Sequence, residues 1–175
     1  MQYFAWGINK PGVKKQRAVL IRSHWDFIAK YNESLIARGP VISNDHLGNV
    51  TGSIHIVDLP NTAAVDTFVN EEPFAKAGLF EEIIVKRFRL DLGRSQFNFK
   101  RSDNFMTFFI NCPASGNGRE IDNGLVKAHN DYVDRFDRNM ICHGTLLGLD
   151  EQWQGKVFFV EFSSRAEAIN FLDED

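Results

Sequence analysis

Gln2 to Ile8 is an aromatic and apolar run that predicts a strand, ended by Lys10-Pro11-Gly12. From Lys14 to about Ala37, the apolar residues Ile21, Trp25, Ile28 and Leu35 recur at helical spacing and predict one amphipathic helix. Gly39-Pro40 opens a short strand through Ile42, Asn44 to Asn49 reads as a turn-rich loop, and Ser53 to Leu59 alternates as a strand. Pro60-Asn61-Thr62 starts a second helix, with Asn61 or Thr62 as its cap. Pro73 interrupts that helix, and Glu82 to Leu90 is a closing strand. The order β-α-β-β-α-β is the ferredoxin-like plan, an α+β fold.

The same pattern returns further along. Strands are predicted at Phe105 to Asn111, Ile141 to Leu146 and Lys156 to Phe162, with helices at about Glu120 to Asn139 and Ser164 to Leu172. The first of these helices carries the apolar stripe Val126, Val133 and Phe136. His24 precedes Gly39 by fifteen residues, and His129 precedes Gly144 by the same interval. Gly52 to Leu59 aligns with Gly155 to Phe162 at an offset of 103, against 105 for the histidines, so one two-residue gap reconciles the halves. A collinear series with matching hydrophobic pattern predicts a tandem repeat. We expect repeat 1 at residues 1–92, a connector at 93–104, and repeat 2 at 105–175 lacking its final strand. Phe97-Asn98-Phe99 alternates and is a candidate to fill the open sheet edge. Each unit would leave one sheet face bare, so the two faces are expected to close on each other as an intramolecular α+β barrel pseudo-dimer.

Composition narrows the classes. With 43% hydrophobic and 25% charged residues in 175, the chain is globular rather than disordered or low-complexity, and 16 phenylalanines supply large core side chains. A net charge of -3 gives no electrostatic footprint for nucleic acid. The charge is uneven, with 12 basic and 10 acidic residues up to Ser95 but 8 basic and 13 acidic beyond it. No apolar run approaches the ~18 residues of a membrane-spanning helix. Met1 to Trp6 lacks the basic start of a secretory signal, and Cys112 and Cys142 are too few for a disulfide scaffold. We therefore expect a cytoplasmic protein without nucleic-acid or membrane partners, either a monomer with an internal pseudo-dimer or a homodimer of it.

The candidate chemistry lies on the two equivalent helices. His24 falls three residues after Ile21 and four before Ile28, and His129 stands in the same relation to Val126 and Val133. Imidazole suits proton transfer near neutrality, and a carboxylate beside it would fix its tautomer. Arg22 and Lys127, two residues earlier, are candidate anchors for an anionic ligand. Glu72 precedes Pro73, which forces residue 72 out of helical geometry and turns its carboxylate. Gly116-Asn117-Gly118 lacks the rest of a dinucleotide fingerprint and reads as a loop. His46, His55 and His143 show no metal spacing, and Cys142-His143 alternate across a strand, which argues against a thiol nucleophile.

His24, Ala37-Arg38-Gly39-Pro40-Val41, Gly52-Ser53 and Glu72-Pro73-Phe74-Ala75-Lys76-Ala77-Gly78-Leu79-Phe80 together resemble the YCII-related family. That resemblance implies ferredoxin-like domains paired in an α+β barrel, sometimes as a tandem repeat. It also implies a His on the first helix and an Asp in an Asp-Pro-[Phe/Tyr] motif as a catalytic pair. The family His corresponds to His24 and His129, and the Asp position holds Glu72 in one half and Asp175 in the other. Gly39 and Pro40 join Arg22 and Lys127 as candidate substrate-binding residues. The implied activity is cofactor-independent chemistry of lyase, isomerase or dehalogenase type on a small anionic organic molecule, with no metal. The alternatives are a non-catalytic ligand-binding or interaction module and a haem-type oxygenase of the related barrel.

Overall fold

The computed structural model of the chain describes residues 1–43, 48–114 and 123–175. His46, Gly116-Asn117-Gly118 and the predicted helix start at Glu120 lie outside the described residues.

The first strand, β1, spans Gln2–Asn9 and leads into helix α1, Lys14–Ala29. Strands β2 (Leu35–Ile42) and β3 (Val50–Asp58) follow, then α2 (Thr62–Glu71), the single turn α3 (Pro73–Lys76) and β4 (Phe80–Leu90). A 3-10 turn at Gln96–Asn98 precedes β5 (Met106–Pro113), α4 (Asn123–Val133), β6 (Met140–Leu147), β7 (Trp153–Phe162) and α5 (Arg165–Asp173). Asn61 caps α2 by accepting from the Ala64 amide at 2.9 Å, as the predicted start requires.

α1 is shorter than expected. It ends at Ala29, and Leu35 belongs to β2 instead. The buried stripe of α1 is Arg17, His24 and Ile28, so Trp25 lies ~80° off its centre at 100° per residue and is exposed. Two polar residues at the centre of the stripe displaced the apolar pattern. On α4, Val133 is buried but Val126 is exposed.

All seven strands form one antiparallel sheet in the order β2-β3-β1-β4-β6-β7-β5. β4 joins the halves by pairing Arg87 to Leu90 with Leu147 to Gly144. Three strands separate β1 from β5, which is about 19 Å in a flat sheet. Yet the Phe4 and Phe109 rings lie 6.1 Å apart, and Trp6 meets Phe109 edge-on at 5.3 Å. The sheet therefore curls on itself, and its inner face buries Phe4, Ile54, Ile56 and Phe88 against Leu146, Val157 and Phe159. The helices pack in three further cores, around Phe68, around Phe171 and around Phe74.

Phe97-Asn98-Phe99 does not form the expected strand. Ser95 Oγ bonds Asn98 Oδ1 at 2.7 Å and the Asn98 amide donates to the Ser95 carbonyl, which winds the segment into a turn. Gln96 Oε1 accepts from the Arg38 amide at 2.7 Å, and Phe99 packs on the inner core. The connector thus meets the outer edge of β2 through one side chain rather than a ladder.

Candidate functional site

Glu72 sits between α2 and α3 with extended backbone, φ -62° and ψ 129°, because Pro73 at the first position of α3 prevents the helix from running through. Its Oε2 caps α3 by accepting from the Ala75 amide at 3.0 Å. That leaves Oε1 aimed at α1, where it meets His24 Nδ1 at 2.6 Å. Both residues are buried. A carboxylate at Nδ1 holds the ring proton there, which leaves Nε2 as the basic nitrogen of a residue that lines the cleft.

Phe74 stacks on the His24 ring at 4.4 Å and 14°. The Arg17 guanidinium lies 4.0 Å from the centroid of the same ring and donates to Asn9 Oδ1 and Ser53 Oγ, both at 2.9 Å. Burial disfavours the charged form of Arg17, and Glu72 acts in the opposite sense. His55, on β3, lies 5.8 Å from His24. Burial, with His24, Arg38 and Arg17 nearby, holds the His55 imidazole down to about 3, so it is neutral at physiological pH.

A broad cleft between α1 and β2 reaches this group. Arg17, His24, Arg38, Ser53 and His55 line it at depth, with Trp25 at its rim. Behind them is a cavity of about 20 Å³ lined by Ala5, Gly7, His55 and Glu72, room for one water.

Of the residues singled out from the sequence, His24 and Glu72 come together at the cleft, and Gly39 and Pro40 line it. Arg22 lines its outer part, but its side chain is 81% exposed and paired with Asp26. Arg17, seven residues before His24 and on the same helical face, is the arginine at depth. A helical wheel centred on His24 would have found it. His55 was passed over because it has no metal spacing, although strand alternation already put it on the face of Ser53 and Val57.

In the C-terminal half, His129 Nδ1 contacts both oxygens of Asp175, at 2.8 and 2.7 Å. This pair is more open, with side chains 22% and 26% exposed against 11% and 5% for His24 and Glu72. Lys127 is exposed and ion-paired with Asp131. Burial raises the Cys142 thiol to about 12, which leaves it inert as a nucleophile. Among the described residues no cluster of three or more His, Cys, Asp or Glu is placed to hold a metal ion, and no helix is long and apolar enough to cross a membrane.

The YCII-related domain model matches residues 1–89. The chain belongs to the YCII-related family. A dehydrochlorinase of 5-chloro-2-hydroxyhydroquinone from Burkholderia phenoliruptrix AC1100, solved with 2,5-dihydroxybenzoquinone, is similar to this YCII-related chain at 26% identity. The match covers 51% of this chain and 94% of that one, with a TM-score of 0.49. A protein provisionally described as a monooxygenase, from Lactobacillus acidophilus NCFM, shares 11% identity over 98% of this chain and 80% of its own, with a TM-score of 0.52. The second likeness concerns the fold alone. No curated protein matches this YCII-related chain.

Proposed function

We propose that the N-terminal cleft is the active site of a cofactor-independent enzyme of lyase, isomerase or dehalogenase type. His24 is its acid/base and Glu72 its orienting partner. The observation that carries this reading is the buried 2.6 Å contact between His24 Nδ1 and Glu72, on the wall of an open cleft. A carboxylate so placed fixes the imidazole tautomer and favours the imidazolium formed when Nε2 takes a proton. Among the described residues, Lys10, Lys14, Arg17, Arg22 and Arg38 line the same cleft against one aspartate, Asp26, which supports a small anionic substrate.

The chain is proposed to have arisen by duplication, with units 1–92 and 105–175. Matching strand registers support this: Gly39 faces Ile54 as Gly144 faces Val157, and Gly7 faces Ser53 as Cys112 faces Lys156. A second reading holds for the C-terminal unit, whose role is to complete the barrel. Its more exposed His129–Asp175 pair favours this.

The test is proton exchange in deuterated water, followed by NMR over a panel of small carbonyl acids and lactones. His24→Gln is expected to slow exchange by about a hundredfold or more while thermal unfolding is retained, in keeping with the size of general-base contributions. The same change at His129 is expected to leave the rate unaltered. Exchange that survives in His24→Gln removes the reading. The di-enol 2,5-dihydroxybenzoquinone serves as a chromophoric binding probe for the cleft.

A further inference from the structure

His55 is 7% exposed and lies 5.8 Å, ring to ring, from His24. Where a buried imidazole borders open space, its ring N–H is a donor that a ligand oxygen can take. The ring lines both the open cleft and the small cavity behind it. Phe68 meets it edge-on at 5.5 Å and fixes its plane, while its cross-strand neighbour on β1 is only Ala5. Its other cross-strand neighbour is Arg38, half-buried, lining the cleft, and without a carboxylate partner among the described residues.

We infer that His55 is a second catalytic imidazole, which donates a hydrogen bond to a substrate oxygen while His24 moves a proton at the adjacent carbon. The substrate class is therefore a small enolisable carbonyl compound bearing an anionic group. This rests on the proposed role of His24 and adds to it the group that receives the electrons.

In the step, His24 Nε2 takes a proton from the carbon next to the carbonyl. The C–H bond breaks, and its electron pair moves through the new C=C bond onto the carbonyl oxygen. His55 and Arg38 face that oxyanion. Collapse of the enolate either takes the proton back at another carbon, an isomerisation, or expels a leaving group from the β-carbon, an elimination. Both close without an outside oxidant or reductant. A neutral imidazole is a suitable donor here because it polarises the oxygen without surrendering its proton to it.

The C-terminal half has a built-in contrast. Ala5 faces His55, and at the matching register Ile110 faces Phe158. Phe158 is buried, so this position tolerates an aromatic hydrocarbon in the other half.

The experiment compares the full-length protein with His55→Phe and His55→Asn, using 2,5-dihydroxybenzoquinone as the probe. Its absorption band reports both affinity and the pH at which the bound enol ionises. With the native protein, ionisation is expected about one pH unit below that of the free probe, as a donor beside the oxyanion requires. His55→Phe is expected to lose at least half of that displacement and to bind about tenfold more weakly. His55→Asn, which keeps an N–H donor, should recover most of both. If His55→Phe is folded and leaves both unchanged, the inference is overturned while the role of His24 stands on its own exchange assay. If His55→Phe is unfolded, His55→Asn decides alone: an ionisation displacement at the native value supports a donor role, and its complete loss overturns it. Failure of the native protein to bind the probe overturns the enol assignment.

Discussion

A neutral histidine inside a protein leaves its mark on stability as well as on chemistry. His55 is held at about 3, whereas an unfolded chain titrates it near its ordinary value of about 6.5. Above pH ~6.5 neither state binds the proton, and the fold keeps its full stability. As pH falls below that, the unfolded chain takes up a proton that the folded state refuses. The single site then lowers stability by about 1.4 kcal/mol per pH unit until pH ~3. His143, also lowered by burial, acts in the same direction. His55→Phe should therefore flatten the pH dependence of urea unfolding between pH 6 and 4 by one proton, and carboxylate contributions cancel in the comparison. Equal slopes in the two proteins would show that His55 is charged inside the fold. At this scale the sequence was partly legible. His24 and Glu72 were singled out through helical position and the Glu-Pro pair, and the fold brings them into contact. Arg17 and His55 were not, because an arginine in a helix reads as solvated and a histidine in a strand carries no motif.

One proline organises the element that aims the carboxylate. With Pro73 in place, residue 72 stays extended, α2 stops at Glu71, and the Glu72 side chain divides its oxygens between Ala75 and His24. Pro73→Ala restores a backbone donor and lifts the restriction on residue 72, so α2 can continue and swing the carboxylate away. Proton exchange should fall at least tenfold, while stability changes by only about 0.4–1 kcal/mol, the usual entropic effect of a proline. Parallel measurement of exchange rate and denaturation midpoint separates the two. An unaltered rate would mean that α3 alone fixes Glu72. The break at Pro73 was plain from sequence, as was the Asn61 cap. The end of α1 was not, because apolar Leu35 continued a 3.6-residue period that the turn before β2 had already ended. Periodicity cannot see a turn made of ordinary residues.

At the scale of the molecule, the order of strands and helices was readable, but the join between β4 and β6 was not, since it depends on which strand edges meet. That join predicts an asymmetry between two glycines in matching registers. Gly144 lies where β4 crosses onto β6, and an added Cβ would stand 2.3 Å from both the Arg89 carbonyl oxygen and the Phe88 ring. Phe88 is only 2% exposed and packed in the inner core, so neither neighbour can move aside cheaply. Gly39 occupies the matching place on β2, an outer strand of the sheet, and a Cβ there meets no heavy atom within 4 Å. Gly144→Ala should thus destabilise the fold by about 1–3 kcal/mol, as overpacking does, whereas Gly39→Ala should be nearly neutral. Because the strain falls on the β4–β6 ladder, Gly144→Ala is also expected to split one unfolding transition into two, resolvable by following Trp fluorescence and far-ultraviolet dichroism together. Trp25 reports the N-terminal side and Trp153 the C-terminal side, while Trp6, packed on Phe109, reports the contact between them. Equal destabilisation by the two substitutions would mean that β2 is as closely paired as β6, and that the sheet closes through a contact on its outer edge.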